Sequence, residues 1–193
     1  MSQLSLFSAD TEEPAIDDLA GLLAAQGQSV HTPDGARVSV VVADVWRAEA
    51  IAADIAASGL AAEAETSDEG TPIARTEVTP RLTALHRDWT TGAMKSVPDG
   101  WTPSPRALRF WVLASGRPEG IHYVLGLDPH APDTHGALAT ALMRVGIAPT
   151  LVGSHGHQPS LRITGRKRRA RLLESVGGAP AGAAAQAAWP TPA

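Results

Sequence analysis

Leu19-Ala20-Gly21-Leu22-Leu23-Ala24-Ala25-Gln26-Gly27 is an uncharged, apolar run of helical character that closes on a glycine, a residue able to take the left-handed backbone that ends a helix. A second run of the same length and ending, Leu108-Arg109-Phe110-Trp111-Val112-Leu113-Ala114-Ser115-Gly116, lies in the other half of the chain. Working outward from the two gives the same succession of elements twice. A strand-like run rich in β-branched or aromatic residues follows each, at 37–43 and 121–127. Helices with apolar residues at helical spacing come next, 45–58 and 133–145, closed by Gly59 and Gly146. Two short strands follow, 60–66 with 72–78 and then 148–153 with 160–164. A last helix ends each copy, 80–91 and 166–176, closing at Gly92 and Gly177.

The chain therefore divides into a repeat over 17–92, a Pro/Gly/Trp-rich linker over 93–103 and a second repeat over 104–177. The polar segment 1–16 and the Ala/Pro/Gly segment 178–193 have little to bury and are expected to be disordered. The 193 residues, 44% of them hydrophobic and 19% charged, suffice for a real core. With no cysteine, disulfides and thiolate metal sites are excluded, and a reducing cytoplasm fits. No stretch approaches a membrane span, and the acidic N-terminus is unlike a signal peptide.

A net charge of -4 conceals an asymmetry. Residues 1–74 carry -11, with Arg37 and Arg47 their only basic residues, and residues 75–193 carry +7.

Leu19 to Gly27 is similar to the nine-residue signature of the LAGLIDADG homing endonucleases and their non-cutting relatives. Leu108 to Gly116 is its fainter counterpart. The resemblance extends in element order over residues 17–177. It implies an α+β fold of two fused α-β-β-α-β-β-α repeats packed through their first helices, whose glycine and alanine let the backbones approach closely. It also implies sheets laid over DNA. Cleavage in that family requires an acidic residue near the end of each signature helix, because the carboxylates hold the metal ions that activate water and stabilise the leaving oxygen. Gln26 and Ser115 stand at those positions, and neither replaces an anionic ligand. The expectation is a protein without nuclease activity, resembling the N-terminal domain of WhiA-type regulators.

Arg162-Ile163-Thr164-Gly165-Arg166-Lys167-Arg168-Arg169-Ala170-Arg171 holds six basic residues in ten. As a solvated helix start this run is ordinary, yet cations at a helix N-terminus oppose the macrodipole and repel one another. Phosphate contacts would use that charge, which makes Arg162, Arg166, Lys167, Arg168, Arg169 and Arg171 the candidate nucleic-acid-binding residues, for DNA or for RNA. The run Val38-Val40-Val41-Val42 looks buried on both sides. Asp128, His130, Asp133 and His135, and separately His155 with His157, match no metal signature; the first group reads as a turn with Asp133 or a neighbour capping the next helix, and no metal or other cofactor is expected. No Gly-rich phosphate loop, GxSxG or cysteine nucleophile is present.

The peptide Gln3-Leu4-Ser5-Leu6-Phe7 resembles the short motif with which bacterial replication and repair proteins dock on the DNA polymerase III sliding clamp. Leu4, Leu6 and Phe7 would fill an apolar groove, Gln3 would fix register through its amide, and Ser5 would cross the rim. Residues 8–18 would be a polar tether. The alternative is that the three apolar side chains tuck against the folded domain. Together these readings give a non-catalytic, cytoplasmic, nucleoid-associated protein, recruited to the clamp and touching nucleic acid through residues 162–171, in replication, repair or regulation. A factor that occupies the clamp without binding DNA, and a clamp-recruited enzyme with an unrecognised site, are the other readings left open.

Overall fold

The computed structural model describes residues 8–153 and 158–192. A 3₁₀ turn, Ile16–Leu19, leads into helix α1 (Ala20–Ala24), and two strands follow, β1 (Gln28–Thr32) and β2 (Gly35–Val41). Helix α2 (Val45–Ala57), strands β3 (Ala62–Thr66) and β4 (Pro72–Thr76) and helix α3 (Thr83–Asp88) complete the first unit. A two-stranded hairpin, β5 (Thr90–Thr91) and β6 (Met94–Lys95), precedes the second. There, helix α4 (Pro105–Ser115) is followed by β7 (Gly116–Glu119), β8 (His122–Gly126), α5 (His135–Arg144), β9 (Thr150–Val152), β10 (Ser160–Ile163) and α6 (Arg166–Val176). A short helix α7 (Ala183–Ala188) comes last. The α-β-β-α-β-β-α unit thus occurs twice.

Both four-stranded sheets are antiparallel and have the same order, β1-β2-β4-β3 and β7-β8-β10-β9. Period-two alternation gives each sheet one covered and one open face. Ala36, Val38 and Val40 of β2, with Val42 just beyond it, are buried in the core, whereas Val41 is 48% exposed. The valine run is therefore covered on one side only, which corrects the expectation of burial on both. Arg37 and Ser39 share the open face with Val41, joined by Arg75 through its pairing with Ser39. In the second sheet, Tyr123, Leu125, Leu161 and Ile163 turn inward, and Arg117, Val124 and Arg162 lie in register on the other face.

The two units meet through α1 and α4. At their N-terminal ends the Asp18 carboxylate accepts from the Ser104 hydroxyl at 2.6 Å and from the backbone N–H of Ala15 at 2.8 Å, with the Arg106 guanidinium 3.6 Å away. Ser104 also accepts from Ala107 N at 3.0 Å, with Pro105 in the first turn, a favourable helix start. Further along, a Cβ on Gly21 would fall 1.8 Å from the carbonyl oxygen of Ala107 and 2.9 Å from Cβ of Phe110. Only glycine permits that approach.

Several local expectations change. Strands β1 and β7 were not legible, because Gln28–Thr32 is an edge strand with no fully buried residue and Gly116–Glu119 contains Pro118. Neither Gly27 nor Gly116 has a positive φ; both are required by close packing, Gly27 against the Leu22 carbonyl and Gly116 against the Val112 carbonyl and the Tyr123 hydroxyl. Gly59, Gly146 and Gly177, which close α2, α5 and α6, do take positive φ values of 72–78°, whereas Gly92, at 63°, sits in the turn between β5 and β6, because α3 already ends at Asp88. The segment expected to be a linker is packed: Trp101 meets Trp89 edge-on at 4.9 Å between ring centroids and lies 6.5 Å from Trp111.

Neither end is free over its described residues. At the C-terminus, Trp189 is 5% exposed, donates from its indole to Gly177 O at 2.8 Å and lies under the Arg109 guanidinium; Tyr123 donates to Ala188 O at 2.9 Å. A composition of small residues hid one large anchor. At the N-terminus, Ser8 and Ala9 are buried, and Ala9 N donates to Ser175 O at 2.7 Å. The segment read as the start of a tether is docked.

Candidate functional site: the seam and the basic turn

The C-termini of α1 and α4 open side by side into a cleft of about 670 Å³ lined in part by Gln26, Gln28, Arg47, Ser115, Arg117 and Asp128. A helix leaves its last carbonyls without partners, and here side chains from other elements supply the donors. The Gln26 amide donates to Ala114 O at 2.9 Å and to Val41 O at 2.8 Å, so it ties α1 to α4 and to β2. Ser115 donates its hydroxyl within reach of Trp111 O and Gly126 O, both at 3.2 Å. Arg47, projecting from α2 and 6% exposed, donates to Val112 O, Leu113 O and Gly116 O at 2.7–3.1 Å, with Asp44 on its remaining nitrogen at 3.2 Å. A cation there also complements the negative end of the α4 dipole.

The end of α1 is treated in a parallel way. The Lys95 ammonium donates to Ala25 O at 3.0 Å and pairs with Asp128 at 2.8 Å, with both side chains under 10% exposed. Gln28 donates to the same carboxylate oxygen at 2.6 Å, and His130 N donates to the other at 2.9 Å. Burial pushes the Asp128 carboxyl up, but the Lys95 hydrogen bond and charge, the His130 N–H and the Gln28 amide outweigh it and hold the group below the usual range. Burial also depresses the Lys95 ammonium, more than Asp128 restores it.

Sequence reasoning missed Arg47, Lys95 and Gln28. Arg47 stood out as one of two basic residues before residue 75, yet no local pattern joins it to carbonyls 65–69 positions away. Asp128 proves to be the turn residue that accepts from His130 N, and no side-chain cap forms on the 3₁₀ turn Pro132–Thr134 or on α5, which corrects the expectation that Asp133 or a neighbour caps that helix. His135 is buried and bonded to Asp128 O at 2.8 Å. No group of three His, Cys, Asp or Glu side chains able to hold a metal ion occurs among the described residues.

The basic stretch is divided between two faces. Arg162 lies on the open face of the second sheet and is paired with Glu119 at 2.7 Å. Arg166, Lys167 and Arg168 are exposed at the start of α6, a helix whose Leu172 and Val176 are buried in the core. Gly165 supplies no side-chain cap there. Arg169 is half-buried, and Arg171 donates to Val145 O at 2.5 Å. Gln3 to Phe7, His155 and His157 lie outside the described residues.

No family model matches the chain, and no curated protein sequence does. Solved structures do. The homing endonuclease I-WcaI bound to its DNA recognition sequence superposes with a TM-score of 0.60 at 13% identity, over 91% of this chain and 83% of that one. The fold is the LAGLIDADG fold. The N-terminal LAGLIDADG domain of DUF199/WhiA gives a TM-score of 0.56 at 14% identity over 86% of this chain and 83% of that one. Full-length DUF199/WhiA from Thermatoga maritima gives 0.60 at 15% over 86% of this chain, which spans 55% of that protein. The two α-β-β-α-β-β-α units read in the sequence are thus present in one chain, meeting through α1 and α4. No helix among the described residues is long and apolar enough to cross a membrane.

Proposed function

We propose that this chain is a non-cutting DNA-binding protein of the LAGLIDADG fold, brought to the DNA polymerase III sliding clamp by Gln3, Leu4, Ser5, Leu6 and Phe7 and acting in replication, repair or regulation. The observation that carries the absence of cleavage is the chemistry of the seam. Where the family's cutting members need two carboxylates, Gln26 and Ser115 act as hydrogen-bond donors to backbone carbonyls. The nearby Asp128 is already neutralised by Lys95. Hydrolysis of a phosphodiester needs anionic ligands for its metal ions, and these donors do not supply them.

DNA binding is supported by two things. One is the fold shared with an endonuclease bound to its DNA recognition sequence. The other is charge: Arg166, Lys167 and Arg168 form an exposed cationic turn for phosphate contacts. The open sheet faces are more evenly balanced, since Arg75 pairs with Glu65 and Arg162 with Glu119. Backbone contacts of this kind position a protein on DNA without reading sequence. Recruitment to the clamp would raise the local concentration of the protein on DNA, so a weak cationic contact suffices.

The test has two arms. Wild type retains the purified clamp in a pull-down, and the Leu6→Ala/Phe7→Ala variant loses it; equal retention refutes recruitment. Changing Arg166, Lys167 and Arg168 to Ser lowers affinity for duplex DNA at low salt and flattens its salt dependence. Unchanged affinity refutes the cationic contact.

A further inference from the structure

We infer that the chain grips duplex DNA on one side: the open face of the β7-β8-β10-β9 sheet, with Arg166, Lys167 and Arg168 at its rim, lies against the duplex, and the equivalent face of β1-β2-β4-β3 does not. The inference rests on the DNA-binding reading above and departs from the resemblance, which implies both sheets over DNA.

The two sheets share one order and one register. Ser39 of β2 pairs with Gln28 and Arg75, and Val124 of β8 pairs with Arg117 and Arg162. On the outer strands, Arg75 pairs with Glu63 of β3, and Arg162 with Thr150 of β9. Paired residues point to the same side of a sheet, so Arg75 is equivalent to Arg162, Gln28 to Arg117 and Glu63 to Thr150. The first of these pairs carries no difference, because Arg75 is neutralised by Glu65 and Arg162 by Glu119. The remaining charges do differ. Among the described residues neither Arg37, Glu63 nor Arg117 is in an ion pair. On the first face the exposed Glu63 offsets Arg37; on the second nothing offsets Arg117.

The rims differ more. Glu77 follows Arg75 by two residues, and Thr164 follows Arg162 by two. The exposed Glu77 leads into a capped turn: Thr79 accepts from Arg81 N at 3.4 Å, and the Arg81 guanidinium is turned back onto Gly59 O at 2.6 Å. The Thr164 hydroxyl lies 3.1 Å from Nδ1 of His122, at the outer end of β8, and leads into Gly165, which supplies no cap, and then the three exposed cations; Arg168 donates to Thr164 O at 3.4 Å. Like charges on an uncapped helix start cost stability. The first unit has the same fold and avoids that cost, so the fold does not demand it. The first unit also exposes Asp34 in the turn joining β1 to β2, and Asp68 and Glu69 in the turn joining β3 to β4. Exposed charges act over about 8 Å at physiological salt, so a phosphate backbone drawn to the second rim is repelled over the first.

The full chain has no cysteine, so a single introduced thiol reports its own surroundings. Val30→Cys places one on the open face of the first sheet, where Val30 is 44% exposed and pairs with Arg37; Thr150→Cys places one at an exposed position of the second. Neither alters charge. With binding at low salt followed by anisotropy, saturating duplex is expected to slow maleimide alkylation of Thr150→Cys at least about threefold and of Val30→Cys less than about 1.5-fold, because a thiol reacts according to its access. Thr150→Glu, which copies Glu63 onto the second face, should weaken duplex binding about threefold, the equivalent of about one phosphate contact, while Val30→Glu leaves it within about 1.5-fold. Equal slowing of both thiols, slowing at Val30→Cys alone, or no slowing at either while duplex is bound overturns the one-sided grip and leaves DNA binding standing. Wild-type affinity in Thr150→Glu, or equal loss from the two glutamates, does the same. A wild-type chain that binds no duplex at low salt takes the DNA-binding reading and the grip down together.

Discussion

Replacing Gly21 by alanine tests the helix pair on which the two units are built. The added Cβ would stand 1.8 Å from Ala107 O, 2.7 Å from the Ala107 carbonyl carbon and 2.9 Å from Phe110 Cβ. Real Cβ contacts essentially never fall under 3.0 Å and become ordinary only from 3.4 Å, so α1 and α4 must part locally by about 1.2–1.6 Å. The obstacle is backbone rather than a flexible side chain, which places the cost near the upper end of overpacking, about 3 kcal/mol. Alanine recovers about 1 kcal/mol of helix propensity. The net loss of about 2 kcal/mol corresponds to a fall in Tm of about 4–8 °C for a chain of this size. Gly136 is the internal control. It lies in α5 without a positive φ, and nothing approaches within 4 Å of the position an alanine methyl would take, so Gly136→Ala gains rather than loses, by about 0.5–1 kcal/mol. Calorimetric melting of the two variants should therefore show shifts of opposite sign. A Gly21→Ala melting point at or above wild type would refute the close-packed seam.

The buried Lys95–Asp128 pair predicts a second outcome. Lys95→Met leaves a buried carboxylate without its cation and costs about 3–5 kcal/mol, while Lys95→Met/Asp128→Leu costs less than the single change, as denaturant melts of both would show. The folded pKa of Asp128 lies below its unfolded value, so its contribution is complete above that unfolded value and is lost as pH falls through the folded one. Asp128→Asn should accordingly have a shallower acid limb in a stability–pH profile; an unchanged limb would contradict this. Trp189→Ala removes a side chain that is 5% exposed together with its bond to Gly177 O and its place under Arg109, and should cost about 3 kcal/mol by thermal melting. Wild-type stability would return the C-terminal segment to the status of a loose tail.

Much of the element order was legible because its punctuation is chemical. Gly59, Gly146 and Gly177 end their helices with positive φ, and Ala48, Ile51 and Ile55 mark the buried face of α2 at helical spacing. What escaped had no local signature. The edge strand β1 buries none of its residues fully, so nothing in Gln28–Thr32 alternates strongly enough to mark a strand. A single indole at Trp189 outweighs the small residues around it, and composition could not reveal the pocket it fills. At the seam, Gln26 and Ser115 were found through the resemblance of two helices, and both do sit at the C-termini that meet there. Arg47 and Lys95 act on carbonyls 65–70 residues distant, a relation that only the tertiary fold creates. The basic run illustrates the opposite error: ten contiguous residues looked like one surface, and the strand-to-helix turn at Gly165 sends Arg162 to the sheet and Arg166 to the helix layer.

The most direct measurement of the central claim follows binding and cleavage of one labelled duplex in one tube, with Mg²⁺ or Mn²⁺ present, by anisotropy and then by denaturing gel. Three phosphate contacts from Arg166, Lys167 and Arg168 predict an affinity that falls about fortyfold between 50 and 200 mM salt, with both strands intact at the end. Binding that ignores salt, no binding at low salt, or metal-dependent cleavage products would contradict the account.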